Sequence, residues 1–146
     1  MNWIYKGVAI TELPKEVRGM VYKIYYTDET MYIGSKVVRS EIKKKPLKGM
    51  RSNAVRKVLT ESKWKTYEGS SKLSKGKTIK TKVIMHLTKD KRSMTYLEQK
   101  ELMAVNATVN KSYLNENIGG KFFDNCLDGV LDYNPKEACL FGGDYD

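Results

Sequence analysis

Few residue types in this chain can do chemistry. His86 is its one imidazole, and Cys126 and Cys139 are its two thiols. Four Cys or His ligands for zinc are therefore not at hand. A Ser-His-Asp or Cys-His catalyst would have to be built on His86, and two cysteines without close spacing read as reduced, structural thiols. Tyrosine is abundant, with 10 copies, and Lys plus Arg number 27 against 17 Asp plus Glu, a formal net charge of +10. One carboxylate stands out. On a helix, Met94, Glu98, Leu102 and Val105 fall on one stripe, so Glu98 faces protein or a cleft rather than open water. The same stretch, Thr95-Tyr96-Leu97-Glu98, also fits a capping box in which Glu98 would bond the first amide. The local pattern leaves both roles open.

The cations have a distribution. From Lys36 to Lys82 they include Lys43, Lys44, Lys45, Lys48, Arg51, Arg56, Lys57, Lys65 and Lys72, with Trp64 and Tyr67 among them. Cations interleaved with aromatics suit phosphate contact combined with stacking. Residues 124–146 carry six acids against Lys136, so a basic body of +15 is followed by a tail of −5. The charge points to a polyanion, nucleic acid or anionic lipid. No apolar run reaches the ~18 residues of a membrane span, and residues 1–6 lack the order of a signal peptide. The expectation is a cytoplasmic protein of one domain, large enough to fold without staples.

The elements that must position these groups follow from pattern. Val21 to Tyr26 is rich in β-formers, Asp28-Glu29 supply a turn, and Met31-Tyr32-Ile33 resume the strand, giving an antiparallel hairpin. A two-residue turn would set Tyr25 opposite Tyr32. A three-residue turn would set Tyr26 opposite Tyr32, with Tyr22 on the same face. Residues 78–87 alternate as a third strand, Ile79, Thr81, Val83, Met85 and Leu87 inward, with Lys80, Lys82, Ile84 and His86 on the other side. Residues 94–105 read as helix, and Thr11 to Val17 as a short helix with Pro14 near its start. The fold class is α+β, a small three-stranded antiparallel sheet flanked by helices, with a basic insertion over about 37–72 between the second and third strands.

Gly19-Met20-Val21-Tyr22-Lys23-Ile24 and Met31-Tyr32-Ile33-Gly34-Ser35-Lys36 together resemble the GIY-YIG nuclease superfamily. Met20-Val21-Tyr22 stands where the family has Gly-Ile-Tyr, and Tyr-Ile-Gly is intact. Pro46-Leu47-Lys48-Gly49 and the later Trp64-Lys65-Thr66-Tyr67-Glu68-Gly69-Ser70-Ser71 look like a bacteriophage branch whose insertion ends in Trp-x-x-Tyr-x-Gly-Ser-Ser. Tyr96-Leu97-Glu98 sits where the family places its metal-binding glutamate, and Asn115-Glu116-Asn117-Ile118-Gly119-Gly120 resembles its terminal Asn-x-x-Ile-Gly-Gly element. The resemblance covers roughly residues 3 to 123.

The resemblance implies a phage-encoded endonuclease that hydrolyses DNA phosphodiesters with Mg²⁺ or Mn²⁺. Tyr22 and Tyr32 would flank the attacking water, Glu98 would hold the metal, and Asn115, with Asn117 as alternate, would position backbone or water. Cations, including Lys36 beside Tyr32, would lower a tyrosine pKa toward a usable base. The family's arginine has no matching position. Arg39 is nearest in sequence, Arg51 and Arg56 lie inside the insertion, and Lys72 follows the Gly-Ser-Ser element; Arg56 and Arg39 are favoured. Lys36, Lys43, Lys44, Lys45, Arg51, Lys65, Tyr67 and Lys72 are expected to meet nucleic acid. His86 is assigned a structural or substrate-contacting role. Residues 1–123 would be the nuclease domain and 124–146 an acidic tail packing on it or flanking it. Specificity must come from the insertion, from a homodimer, or from a partner. The competing reading is a non-catalytic nucleic-acid-binding module on the same scaffold. Under the nuclease reading, Tyr22, Tyr32, Glu98 and Asn115 converge on one cleft.

Overall fold

The computed structural model describes residues 1–51, 54–131 and 134–136. These form strands β1 (Trp3–Tyr5), β2 (Val8–Ile10), β3 (Gly19–Tyr26), β4 (Met31–Val37), β5 (Arg39–Lys44), β6 (Arg56–Glu61) and β7 (Ile79–Thr88), and helix α1 (Lys91–Ala104). The acidic terminus was expected to pack on the body or flank it. Much of it, with Asp132, Glu137, Cys139 and residues 140–146, lies outside the described residues. Among those described, no helix is long and apolar enough to cross a membrane.

The fold is α+β, but its main sheet has five strands rather than three. The order is β2-β1-β7-β3-β4, and β1 pairs with β7 in parallel, so the sheet is mixed. The two added strands come from residues 3–10. Lys6 and Gly7 join them at φ of 50° and 80°, the two positive values that a two-residue type I′ hairpin needs. Between β7 and the edge strand β4, β3 is buried at every position except Lys23 and Tyr25, because both faces of the sheet are covered.

Neither expected hairpin register forms. Tyr32 lies opposite Ile24, Tyr25 opposite Met31, and Tyr22 opposite Gly34. The Tyr26 amide bonds to Thr30 O at 2.9 Å and Glu29 adopts φ 69°, a three-residue turn closed by a left-handed residue. Directly opposed residues share a face, so Tyr22, Ile24, Tyr26 and Tyr32 point the same way. Each face carries its own core. Tyr22, Ile24 and Tyr26 pack with Trp3, Trp64 and Ile84 on one. Val21 and Ile33 pack under Met94 and Leu102 of α1 on the other.

The inward-and-outward reading of residues 78–87 also changes. Lys82 and Ile84, expected on the polar side, are each 2% exposed. The pairing jumps from Val21–His86 to Tyr22–Ile84, leaving Met85 as a bulge, and one extra residue reverses which side chains face which core. Helix α1 starts earlier than expected, at Lys91. Its cap is Asp90, whose Oδ1 accepts the Ser93 amide at 2.7 Å, so the Thr95–Glu98 capping box does not form. Residues 11–17 make a turn, with the Val17 amide on Pro14 O at 3.0 Å, not a helix. Their carbonyls are taken by a buried guanidinium instead. Arg39 donates to Pro14 O (2.6 Å), Val17 O (3.2 Å), Leu13 O (2.8 Å) and Glu61 Oε1 (2.9 Å).

Arg39, 8% exposed, is thus a clamp. Arg39→Ala should cost about 3 kcal/mol and lower Tm by roughly 10 °C, read by thermal unfolding. Any activity per folded molecule should survive at temperatures where the variant stays folded.

Candidate active site

Tyr22 is fully buried. Its ring centroid lies 5.2 Å from that of Trp3, 5.8 Å from Tyr67 (edge-on) and 6.3 Å from Tyr32. The glycine of Tyr32-Ile33-Gly34 is required by this packing. A Cβ on Gly34 would stand 2.5 Å from the Tyr22 Oη and 2.7 Å from its Cζ, closer than any side chain tolerates.

The Trp64–Ser71 segment forms the wall over these rings. Trp64 is fully buried, and its carbonyl accepts the Trp3 indole N–H at 2.7 Å. Tyr67 lies edge-on to Tyr22. Gly69, at φ 90°, lets the backbone pass so close to Ile24 that a Cβ would meet Cδ1 at 3.1 Å. Ser70 Oγ then sits 3.4 Å from the Tyr32 hydroxyl, and Ser71 caps a 3-10 turn by accepting the Leu73 amide. From beneath, Lys82 holds the segment. Its Nζ donates to Tyr67 O at 3.0 Å and lies 4.6 Å from the Trp3 ring centre. Burial pushes this ammonium's pKa down.

Strand β4 is an edge, and the chain after α1 closes part of it. The Met31 amide bonds Ser112 O, and the Leu114 amide bonds Met31 O, each at 2.8 Å. Asn115 continues the pairing with its side chain. Its Nδ2 donates to Ile33 O at 2.7 Å and its Oδ1 accepts the Ile33 amide at 3.2 Å. From the opposite face, α1 presents Glu98, whose Oε2 accepts the Ser35 hydroxyl at 2.5 Å. A cleft of about 370 Å³ opens at this edge. Tyr32, Ser70, Ser71 and Lys72 line it from one face, Glu98 and Gln99 from the other, and Asn115, Glu116 and Asn117 from the closing segment.

The structure brings Tyr32, Glu98 and Asn115 together as expected, and Lys72, expected among the nucleic-acid contacts, joins them. Tyr22 is packed against Tyr32 but does not line the cleft. Asn115 has both ends of its amide engaged on Ile33, so it positions strand backbone. Asn117 lines the cleft, with its Oδ1 accepting the Gly120 amide at 2.8 Å. The favoured arginines do not arrive. Arg39 is the clamp described above. Arg56 stands on β6 opposite Lys44. Lys36 lies over Tyr67, 4.5 Å from the ring centre. Lys43, Lys44, Lys45 and Arg51 lie on or near the β5–β6 hairpin, exposed. Lys65 pairs with Glu12 at 2.6 Å. His86 bonds Glu101 of α1 at 2.8 Å, tying the helix to β7.

The expected lowering of the tyrosine pKa is reversed. Burial, then the neighbouring Tyr32 and Tyr67, push the Tyr22 phenol well above its ordinary range. Burial also raises Tyr32, against a smaller opposing effect of the Ser70 hydrogen bond. Both are neutral hydrogen-bonding groups at physiological pH. Ser35, Ser70, Ser71 and Lys82 were not singled out from sequence as site groups. Adjacency of Ser35 to Gly34 and of the two serines to Gly69 was the available signal. Nothing local marks Lys82, because a bulge decides its direction.

Residues 3–118 match a family model described as "Putative endonuclease segE, GIY-YIG domain". The chain belongs to the GIY-YIG endonuclease family. Neither the curated proteins nor the solved structures gave a significant match. In this GIY-YIG domain the Tyr-Ile-Gly glycine, Gly34, is the residue whose missing Cβ admits the Tyr22 hydroxyl.

Gly34→Ala should therefore destabilise the domain by about 2 kcal/mol, measured by urea unfolding. The pH dependence follows from the phenols. A folded pKa above the ordinary 10.0 gives a contribution that is full below about pH 10 and is lost as pH rises through the folded value. The urea midpoint should fall between pH 9 and 11, and less steeply in Tyr22→Phe.

Proposed function

We propose that this GIY-YIG domain is a metal-dependent DNA endonuclease of bacteriophage type. The observation that carries the reading is the meeting of Tyr32, Glu98 and Lys72 in one cleft, drawn from three separate segments of a chain in this family. The donor set suits a hard divalent cation. Glu98 is a half-buried carboxylate in an open, oxygen-rich cleft, and among the described residues no group of three or more His, Cys, Asp or Glu forms. One carboxylate with water and phosphate completing the shell is characteristic of Mg²⁺, and Mn²⁺ accepts similar ligands. When bound, the cation would neutralise charge developing on phosphate oxygens.

The protein's own groups divide the remaining work. Ser35 orients the Glu98 carboxylate. Tyr32, neutral and with its hydroxyl near Ser70, donates a hydrogen bond to the attacking water or to a non-bridging phosphate oxygen. Tyr22 and Gly34 fix the Tyr32 ring from behind. Lys72 faces the phosphate, in the place for which Arg56 and Arg39 were favoured from sequence, and stabilises the trigonal-bipyramidal charge. Water oxygen bonds to phosphorus and one P–O ester bond breaks. The water proton leaves to solvent through the open mouth, and the departing oxygen takes up a proton, leaving a phosphomonoester and an alcohol.

The test is nicking of supercoiled plasmid with Mg²⁺ or Mn²⁺, and with chelator. Wild type should nick only with metal. Glu98→Gln should lose about 10³-fold or more, and Lys72→Ala about 10²-fold, with Lys72→Arg largely active. Undiminished nicking by Glu98→Gln would remove the assignment. Absence of nicking by wild type, with duplex binding intact, would leave the non-catalytic binding module.

A further inference from the structure

The β5–β6 hairpin stands apart from the rest of the molecule. Among the described residues from 40 to 61, none belongs to either core. Its acids and its cations are segregated along its length. Near the base, Glu61 pairs with Arg39 at 2.9 Å and Glu41 with Arg18 at 3.8 Å. From Lys43 to Lys57 there are seven cations and no acid, and among the described residues none of the seven is in an ion pair.

The pairing makes this arrangement costly for the free protein. Lys43 lies directly opposite Lys57, and Lys44 directly opposite Arg56. Like charges on facing rungs destabilise a hairpin, and a two-stranded ribbon is marginal by itself. Successive rungs point to opposite faces, so Lys43 and Lys57 project from one face, Lys44 and Arg56 from the other. Arg56 Nε is shielded and finds no acceptor. Polyanions differ in what they ask of such a ribbon. A lipid surface is met by cations on one face, not two. Single-stranded nucleic acid is held by stacking on aromatics, and no Phe, Trp or Tyr lies between Val37 and Ser62. A duplex groove presents phosphates on two opposing walls, and the major groove, about 12 Å wide, admits a two-stranded ribbon.

We infer that the β5–β6 ribbon enters the major groove of duplex DNA, with one cationic rung toward each phosphate wall. Arg39 and Arg18 anchor its base to the catalytic body, so the ribbon sets where on the duplex the cleft acts. Ile42 lies on the face of Lys44 and Arg56, and Leu59 on that of Lys43 and Lys57, so each cationic rung has an apolar side chain beside it. The inference rests on the reading of duplex DNA as substrate.

The discriminating variant is Lys43→Glu/Lys44→Glu. It converts both rungs to opposite-charge pairs, so the ribbon gains stability while it loses its fit to phosphate. Binding of the full chain to a mixed-sequence 40-bp duplex is measured in chelator by fluorescence anisotropy across 50–200 mM salt. The variant should keep or raise Tm, bind at least about 30-fold more weakly at 100 mM salt, and show a log K against log salt slope shallower by about 2. Lys43→Ser/Lys57→Ser, which only neutralises one rung, should also flatten the slope by about 2. Wild type should displace the major-groove dye methyl green from the duplex and leave the minor-groove dye Hoechst 33258 bound. Unchanged affinity and slope in both variants would overturn the inference. So would displacement of Hoechst alone, or preference of wild type for the equivalent single strand or for phosphatidylserine vesicles. Plasmid nicking is scored separately. Ribbon-dependent binding without nicking removes the catalytic reading and leaves the ribbon standing, and nicking with ribbon-independent binding does the reverse.

Discussion

The cleft depends on how the exposed edge of β4 is closed. Backbone bonds between Met31 and the Ser112–Leu114 segment run along that edge, and at Ile33 the Asn115 amide supplies both a donor and an acceptor. There the pairing stops. The next residues are Gly34, which has no side chain, and Ser35, which reaches Glu98. A gap at the sheet edge is left between two differently covered faces, and there Tyr32 from one face and Glu98 from the other line a common cleft. The unpaired edge that a sheet ordinarily has to protect is here partly sealed and partly left open.

The two faces answer to separate constraints. On the tyrosine face, Tyr22, Trp3 and Trp64 fill the core, and Gly34 and Gly69 yield space so that backbone can approach the phenols. Lys82 belongs to this packing. A buried ammonium satisfied by carbonyl oxygens and an aromatic ring ties the Trp64–Ser71 segment to the sheet. That places Ser70 and Lys72 above the cleft. On the helix face, Asp90 starts α1 early, Met94 and Leu102 seat it, and His86 pins it through Glu101. Glu98 reaches the edge because of where that helix begins and how it is seated.

Charge is organised on a longer scale. The cleft holds few cations, whereas the hairpin that projects from the body holds many and pairs like with like. Under the proposed function, the hairpin would grip the DNA backbone and the cleft would act on it. The Tyr22 phenol stays neutral in the core and that of Tyr32 stays neutral at the cleft, while the cations that would bring DNA near the cleft stay in solvent, where their desolvation cost is small.

The amino-acid sequence by itself determined the family and pointed to Tyr32, Glu98 and Asn115, which the fold gathers at one cleft. A single histidine, many tyrosines, a Tyr-Ile-Gly after a β-rich run, Glu98 on an apolar helical stripe and Asn115 ahead of Ile118-Gly119-Gly120 are local facts, legible because each is carried by residue type and short spacing. Family membership and the α+β class followed from them. Tertiary structure decided what depends on distant partners. Arg39 is a clamp and not a site residue because carbonyls of the 13–17 turn surround it, which no spacing in the chain reveals. Strands β1 and β2 were missed because three-residue strands carry too little periodicity to register. Lys82 points inward because a bulge at Met85 shifts the alternation by one. Lys72, and not an arginine, faces the cleft because the path of the Gly69-Ser70-Ser71 backbone over Ile24 carries it there. The phenols lie above their ordinary pKa because burial, reinforced by neighbouring tyrosines, disfavours the charged form, and burial is a property of the packed domain rather than of any stretch of its sequence.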